Sequence, residues 1–390
     1  MLSLKLAFRN LLGAGLRTWL NVSVLSIAFV VMVLYNGMLD GWNRQAHEDT
    51  IVWEIGGGQL WHPLYDPFDP LGLQDAHGLI DDQMKKLIIQ KQLVPVLISQ
   101  GSIFPHGRMQ NVLLKGIQPE QDILKLPANI FVNHIGKEIP AIIGSRMASF
   151  TNLKKGDHLL VRWRDKNGTF DAREFNIVEI FQSNVPTIDN GQLWLPLNIL
   201  QEMTGMENET TILVASSGYK GGNIGEWQFK SPKYLLKEID DIIKTKKAGS
   251  AIIYLLLLSI ALLAIFDTQV LSIFRRQKEI GTYIALGMTR SQVVRIFTIE
   301  GAAHSILALA LGAVYGIPLL YFLQKNGIPM PRSLDSMGVA IAGKIIPVYA
   351  FSMVIISILL VVVSATIVSY FPTRRISRMK PTDALKGKIQ

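Results

Sequence analysis

One stretch of this 390-residue chain has the form of a phosphate-binding loop. Gly338-Val339-Ala340-Ile341-Ala342-Gly343-Lys344 fills the first seven positions of G-x-x-x-x-G-K-[ST]. The eighth residue is Ile345, so the hydroxyl that would hold Mg²⁺ is missing, and no strand pattern leads into the glycines. No other catalytic set takes its place. There are no cysteines, which excludes disulfides, thiolate metal sites and cysteine nucleophiles. The seven histidines never fall at i, i+4, and neither G-x-S-x-G nor H-E-x-x-H occurs. His62, Asp66 and Asp69 lie close in sequence, but in a region with 25 acids they read as chance neighbours. The expectation is a chain with no cofactor, metal or nucleotide site of its own and no catalytic residues.

The elements that position everything else are apolar. Hydrophobic residues make up 49% of the chain and charged residues only 18%, against about 25% in a soluble domain. The mean hydropathy is +0.29. Four runs stand out, Trp19–Leu39, Ala248–Leu271, Phe297–Leu323 and Ile345–Phe371, each of at least 21 residues. About 20 residues of helix cross a hydrocarbon core of about 30 Å. Charge divides around these runs. Residues 1–17, 272–296 and 372–390 hold 14 of the basic residues and two acids (Glu279 and Asp383), whereas residues 40–247 are net −3. Short basic segments remain on the cytoplasmic side. Both termini and 272–296 are therefore expected inside, in a bacterial inner membrane, with the 208-residue insert 40–247 outside. The Gly338–Lys344 stretch, in the short loop 324–344, then faces a compartment without ATP.

The first run is longer than a signal-peptide core, and Asn36-Gly37-Met38-Leu39-Asp40 offers no small-x-small cleavage site. It reads as an uncleaved span, preceded by an interfacial or cytoplasmic helix within 1–17. In the insert, period-2 alternation over 159–164 and 173–181 around Asp165-Lys166-Asn167-Gly168 signals a β-hairpin. Further strands are expected at 110–117 and 211–215, and helices at 80–92, 144–153, 196–204 and 233–247. The predicted fold is four transmembrane helices with one large mixed α/β domain between the first and second.

The segment joining the second and third spans is the most informative. It runs Arg275-Arg276-Gln277-Lys278-Glu279-Ile280-Gly281-Thr282-Tyr283-Ile284-Ala285-Leu286-Gly287-Met288. Taken by itself, this is a short helix with a docking face or a juxtamembrane helix that binds anionic lipid. With Glu300-Gly301 opening the next span, it resembles the FtsX-like permease domain, the superfamily of the MacB exporter, the lipoprotein-releasing permeases and the cell-division protein FtsX. The opening Leu6-Ala7-Phe8-Arg9-Asn10-Leu11 and the close, Pro372-Thr373-Arg374-Arg375 with Lys380-Pro381-Thr382-Asp383-Ala384-Leu385, resemble the ends of that family. Ile142-Ile143-Gly144-Ser145-Arg146-Met147-Ala148 and Lys155-Gly156-Asp157 resemble its MacB-like periplasmic domain. The resemblance implies that 275–292 is a coupling helix seated in a separate ABC ATPase, which would work as a dimer and bind the ATP and Mg²⁺. Arg275, Glu279, Gly281, Leu286 and Gly287 fall on its motif positions. MacB carries its ATPase ahead of the first span, and FtsX has a smaller outer domain. The layout here is closest to the lipoprotein-releasing permeases, and Asn36-Gly37 resembles a pair found in them.

Several membrane-embedded residues carry two readings. Asp267 is either a proton or substrate group or a satisfied interfacial one. Glu300 is expected to cap or pair with the basic segment before it. The small-residue row Ala308, Gly312 and Gly316 allows close helix approach, within the chain or at a dimer seam. Val33, Leu34, Met38 and Leu258 are expected to form an apolar groove for a substrate. The function implied is mechanical: a second permease, identical or homologous, pairs with this chain, and ATPase motion drives the outer domains. The substrate would be a lipoprotein or another amphiphile, passed on to a periplasmic carrier. A regulator of an extracellular wall hydrolase and a drug or peptide exporter are the alternatives.

Overall fold

A computed structural model describes residues 16–133, 138–329 and 344–374. The N-terminal motif, Gly338–Gly343 and Lys380–Leu385 lie outside the described residues. The chain divides into two compact units, Met1–Gly41 with Ile243–Ile328 and Ile346–Gln390, and Trp42–Ile242 with Pro329–Ile345.

The first unit is built on helices that are long and apolar enough to cross a membrane. Four are present among the described residues: Thr18–Ile55, Lys237–Arg275, Arg290–Asn326 and Phe351–Thr373. Their mutual interior is lined by Val22, Leu25, Val33, Ala261, Ile265, Ala308, Val361 and Ala365. Small residues set the spacing. A Cβ on Gly301 would lie 2.3 Å from Ser369 Oγ, and one on Gly316 would lie 2.8 Å from Val30 Cγ2. One polar side chain inside bridges two of the helices. Asn21 Nδ2 donates to the Ala264 carbonyl at 3.1 Å and to Thr268 Oγ1 at 2.5 Å.

Two ends differ from the hydropathy boundaries. The first helix does not stop at Leu39 but runs as α-helix to Thr50 and as a π-helical turn to Ile55. Trp42 and Ala46 give its polar extension a buried side, and the i, i+4 pair Arg44–Glu48 closes at 2.8 Å. It breaks at Gly56, where φ is +60°. The fourth helix begins at Phe351 and not at Ile345, because Pro347 drives the residue before it toward extended conformations. Val348 N instead donates to the Gly37 carbonyl at 2.9 Å. A side chain at Gly37 or Gly41 would strike Tyr349 or Ile346.

The second unit is an α/β domain. Its strands are β1 (Gln59–Trp61), β2 (Gly78–Leu79), β3 (Leu93–Ile103), β4 (Gln110–Ile117), β5 (Ile139–Gly144), β6 (His158–Arg164), β7 (Phe170–Phe181), β8 (Gln192–Pro196), β9 (Glu209–Thr210), β10 (Ile212–Ala215) and β11 (Gln228–Lys230). Nine form one sheet in the order β11-β1-β10-β3-β4-β8-β5-β7-β6, and β3 also pairs with β6. That second pairing closes β3, β4, β8, β5, β7 and β6 into a ring. The β4–β8 and β5–β7 pairs are parallel. The predicted hairpin is β6–β7, with His158 opposite Asn176 and Arg164 opposite Phe170. Helices α1 (Asp82–Ile89), α2 (Ser145–Thr151) and α3 (Leu197–Thr204) fall within the predicted helical stretches.

Period-2 alternation sends successive strand residues to two cores. Leu97, Leu114, Ile143, Leu193, Trp163 and Phe175 pack in one. Val96, Ile98, Ile142, Trp194, Trp53 and Phe181 pack in the other. The Ile142–Ala148 stretch has a local explanation. Any Cβ on Gly144 would fall 2.3 Å from Asp189 Oδ1. Asp189 accepts from Ser145 Oγ and the Arg146 amide at 3.2 Å each, and pairs with Arg146 Nη1 at 2.9 Å. Burial pushes the Asp189 carboxyl above its usual range despite the facing guanidinium.

Candidate coupling site between the second and third apolar helices

The second apolar helix ends at Arg275, and Arg276 leaves the helical region at φ −102°, ψ 20°. A nine-residue helix, Gln277–Ala285, follows. Gly287, at φ +96°, reverses the chain. Thr289 and Gln292 then form a reciprocal capping box that starts the third apolar helix at Arg290. Residues 275–292 are thus a helix, a tight turn and a new helix start.

The connecting helix is pinned from one side. Ile280 is fully buried and packs with Ile273, Val293 and Phe297, and Tyr283, Ile284 and Met288 cover that cluster. Gly281 is buried beside Ile280. The opposite end is open. Ala285 and Gly287 are exposed, and the Leu286 side chain is 79% exposed. A leucine held out by a pinned helix, next to a glycine at positive φ, forms an apolar knob of fixed position.

An ion-pair cluster lies at the base of this helix. Arg276 Nη1 donates to both carboxylate oxygens of Glu300, at 2.9 and 2.8 Å. Its Nε donates to Glu279 Oε2 at 2.7 Å. The guanidinium carbon lies 4.8 Å from the Phe297 ring centroid. The side chains of Arg276 and Glu300 are only 19% and 10% exposed. Glu300 thus pairs with the basic segment, as its place one turn into the third span suggested.

The sequence-derived residues fall into three environments. Leu286 and Gly287 form the exposed knob, Gly281 is packing, and Glu279 sits half out of the cluster around Arg276. Arg275 is exposed. Its neighbour Arg276 carries the contacts, and the signal that could have found it was the pair of acids at positions 279 and 300. Gly312 and Gly316 face the first helix of the same chain, with Ser26 Oγ 3.1 Å from a Cβ on Gly312, and Ala308 is buried in the helical core. Among the groove residues, Val33 is buried in the bundle core, not on an open wall, and Leu258 packs against that core. Leu34 and Met38 are half-buried, and Asp267 is exposed.

Apolar helices, a pinned connecting helix with an outward knob and a large inserted α/β domain make up the layout of a membrane permease. Several known proteins are similar to parts of the chain. Residues 251–381 match the model of the FtsX-like permease C-terminal family. The chain is 19% identical over 339 residues to the lipoprotein-releasing system transmembrane protein LolC of Neisseria meningitidis, covering 75% of this chain and 77% of that one. It is 24% identical over 237 residues to the macrolide export ATP-binding/permease protein MacB 2 of Yersinia pestis, covering 56% of this chain and 32% of that one. The extracellular domain of the ABC-type transporter YknZ from Gram-positive bacteria aligns with a TM-score of 0.30 and 13% identity, covering 45% of this chain and 99% of that one. About a third of the chain is thus similar to the FtsX-like permease family, and LolC and MacB are among the proteins it resembles over longer stretches.

Proposed function

We propose that this chain is the non-catalytic permease subunit of an ABC transporter that extracts or releases a lipoprotein or other amphiphile from the outer leaflet of the inner membrane. The knob at Ala285–Gly287 lies on the cytoplasmic side and docks a separate ATPase dimer, which binds ATP and Mg²⁺. Both termini are cytoplasmic, and the domain spanning 40–247 lies outside. Closure of the ATPase moves the helices that border the connecting helix, and these carry the motion outward. A second permease, identical or homologous, completes the complex, and a periplasmic carrier receives the substrate. The observation that carries this reading is the exposed Leu286 on a helix whose other side is pinned by Ile280. The similarity to LolC, which extends over most of both chains, supports the lipoprotein reading, and the shorter similarity to MacB is equally compatible with export.

Purification of the tagged chain in mild detergent, with mass spectrometry of retained proteins, tests it. A Walker-motif ATPase with a lipoprotein or soluble carrier is the expected result. The same ATPase with a wall hydrolase would replace release by regulation, and with a small-molecule efflux partner it would indicate export. Leu286→Asp should remove the ATPase; retention of the ATPase by that variant overturns the docking site. At Gly287, where φ is +96°, a bulky residue should act in the same direction through backbone strain.

A further inference from the structure

The Arg276 cluster does something that the knob alone does not require. A docking knob needs a helix held in place, and the apolar contacts of Ile280 with Ile273, Val293 and Phe297 already hold it. The ion pair adds a cross-brace between two points 24 residues apart in sequence: the break at the end of the second apolar helix and the first turns of the third. Its geometry is restrictive. One guanidinium meets two carboxylates and lies against an aromatic ring, with all of its charge-bearing contacts on the connecting segment and the third helix. Charged hydrogen bonds in such a half-buried site resist stretching more than apolar contacts, which slide at little cost.

We infer that Arg276 and Glu300 are positioning residues for force transmission: their ion pair locks the end of the second apolar helix, the connecting helix and the start of the third into one rigid body, so that displacement of the Leu286 knob reaches both helices together. Without the pair, the short helix would pivot on its apolar contacts, and a push on the knob would be absorbed at the Arg276 break and the Gly287 turn. This inference rests on the ATPase-docking reading and adds to it that docking and transmission have separate residues.

The test uses the complete complex with its co-purifying ATPase. The natural chain has no cysteine, so single cysteines report cleanly. Ala285→Cys, on the exposed knob, reports docking through protection from a maleimide reagent. Phe68→Cys, 77% exposed in the α/β domain, carries an environment-sensitive fluorophore and reports ATP-driven motion. Glu300→Gln should leave the protection of residue 285 unchanged and reduce the ATP-driven fluorescence change by about tenfold, within the range of ordinary coupling energies. Arg276→Lys keeps the charge but loses the planar fork, and should give an intermediate loss. The swap Arg276→Glu with Glu300→Arg should recover most of the signal, which a purely folding role would not predict. A full signal in Glu300→Gln overturns the inference and leaves docking standing. Loss of docking together with the signal also overturns it, by making the pair part of the knob. Absence of both protection and signal in the unsubstituted complex would instead overturn the docking reading itself.

Discussion

The two units of this molecule differ in the mix of residues that they bury and leave outward. In the α/β domain the largest side chains are the most hidden, Trp163, Phe175, Leu97 and Leu114 among them. In the helical unit the hidden positions include Ser26, Ala261, Ser305, Ala308, Ser357, Ala365 and Ser369, while Ile252, Leu255, Leu256, Ile260 and Leu263 stand outward. Water drives large apolar groups inward in the first case. Lipid tails give no such drive, so close contact between small residues and hydrogen bonds between helices, such as Asn21 to Thr268 and Ser26 to Tyr315, hold the bundle. Composition alone would call both regions hydrophobic; the row of large apolar side chains left outward on the helices tells their solvents apart.

The largest effect that would sharpen this contrast comes from truncation. Trp163 is buried, and its indole donates to the Met203 carbonyl at 2.8 Å. Trp163→Ala should destabilise the α/β domain by about 3–5 kcal/mol, read as an early unfolding transition in a thermal melt of the full chain in detergent. Leu256→Ala, on the outward face of the second helix, should shift nothing beyond about 0.5 kcal/mol. Equal losses from the two would break the comparison.

The converse change adds atoms. Gly301→Ala places a methyl 2.4 Å from Ser369 Cβ, and overpacking of this kind costs about 1–3 kcal/mol. The double change Gly301→Ala, Ser369→Gly should recover most of the loss in a double-mutant cycle of detergent stability. Additive losses would show that this helix pair tolerates separation.

A smaller effect comes from an exception inside the α/β domain. Lys115 is buried with its ammonium 5.1 Å from the Trp194 ring centroid. Burial lowers its pKa from the usual 10.5. Between the lowered value and the usual one, the unfolded chain binds more protons than the folded one, so stability rises with pH across that window. Lys115→Met should therefore stabilise the domain at neutral pH by about 1 kcal/mol. The gain should shrink as pH rises toward the usual lysine value. A gain that grows with pH would show that the amine is stabilised where it sits.

How much of this was legible beforehand follows the same division. Long apolar runs, the Asn167-Gly168 hairpin and the strand at 110–117 needed only local periodicity, and they stand close to where it places them. What escaped were effects of remote partners. Nothing near Leu39 reveals that the helix continues to Thr50, because that continuation depends on which side of residues 40–50 becomes buried. The closure of β3 on β6 joins residues about 60 positions apart and leaves no mark on either strand's pattern. At the candidate coupling site the motif drew attention to Arg275, and only the approach of Glu300 across the turn distinguishes Arg276.

The unbroken run from Lys237 to Arg275 also has a geometric consequence. Thirty-nine helical residues at 1.5 Å each make a rod of about 58 Å. A change in inclination of about 5° at the Arg276 end sweeps the Lys237 end through about 5 Å, roughly the pitch of one helical turn. Angular displacements that would disturb no side-chain rotamer at the base are thus magnified into steps comparable to the spacing between neighbouring strands. In such a rod the displacement of the far end for a given tilt is set by its length, whatever the size of the force at its base.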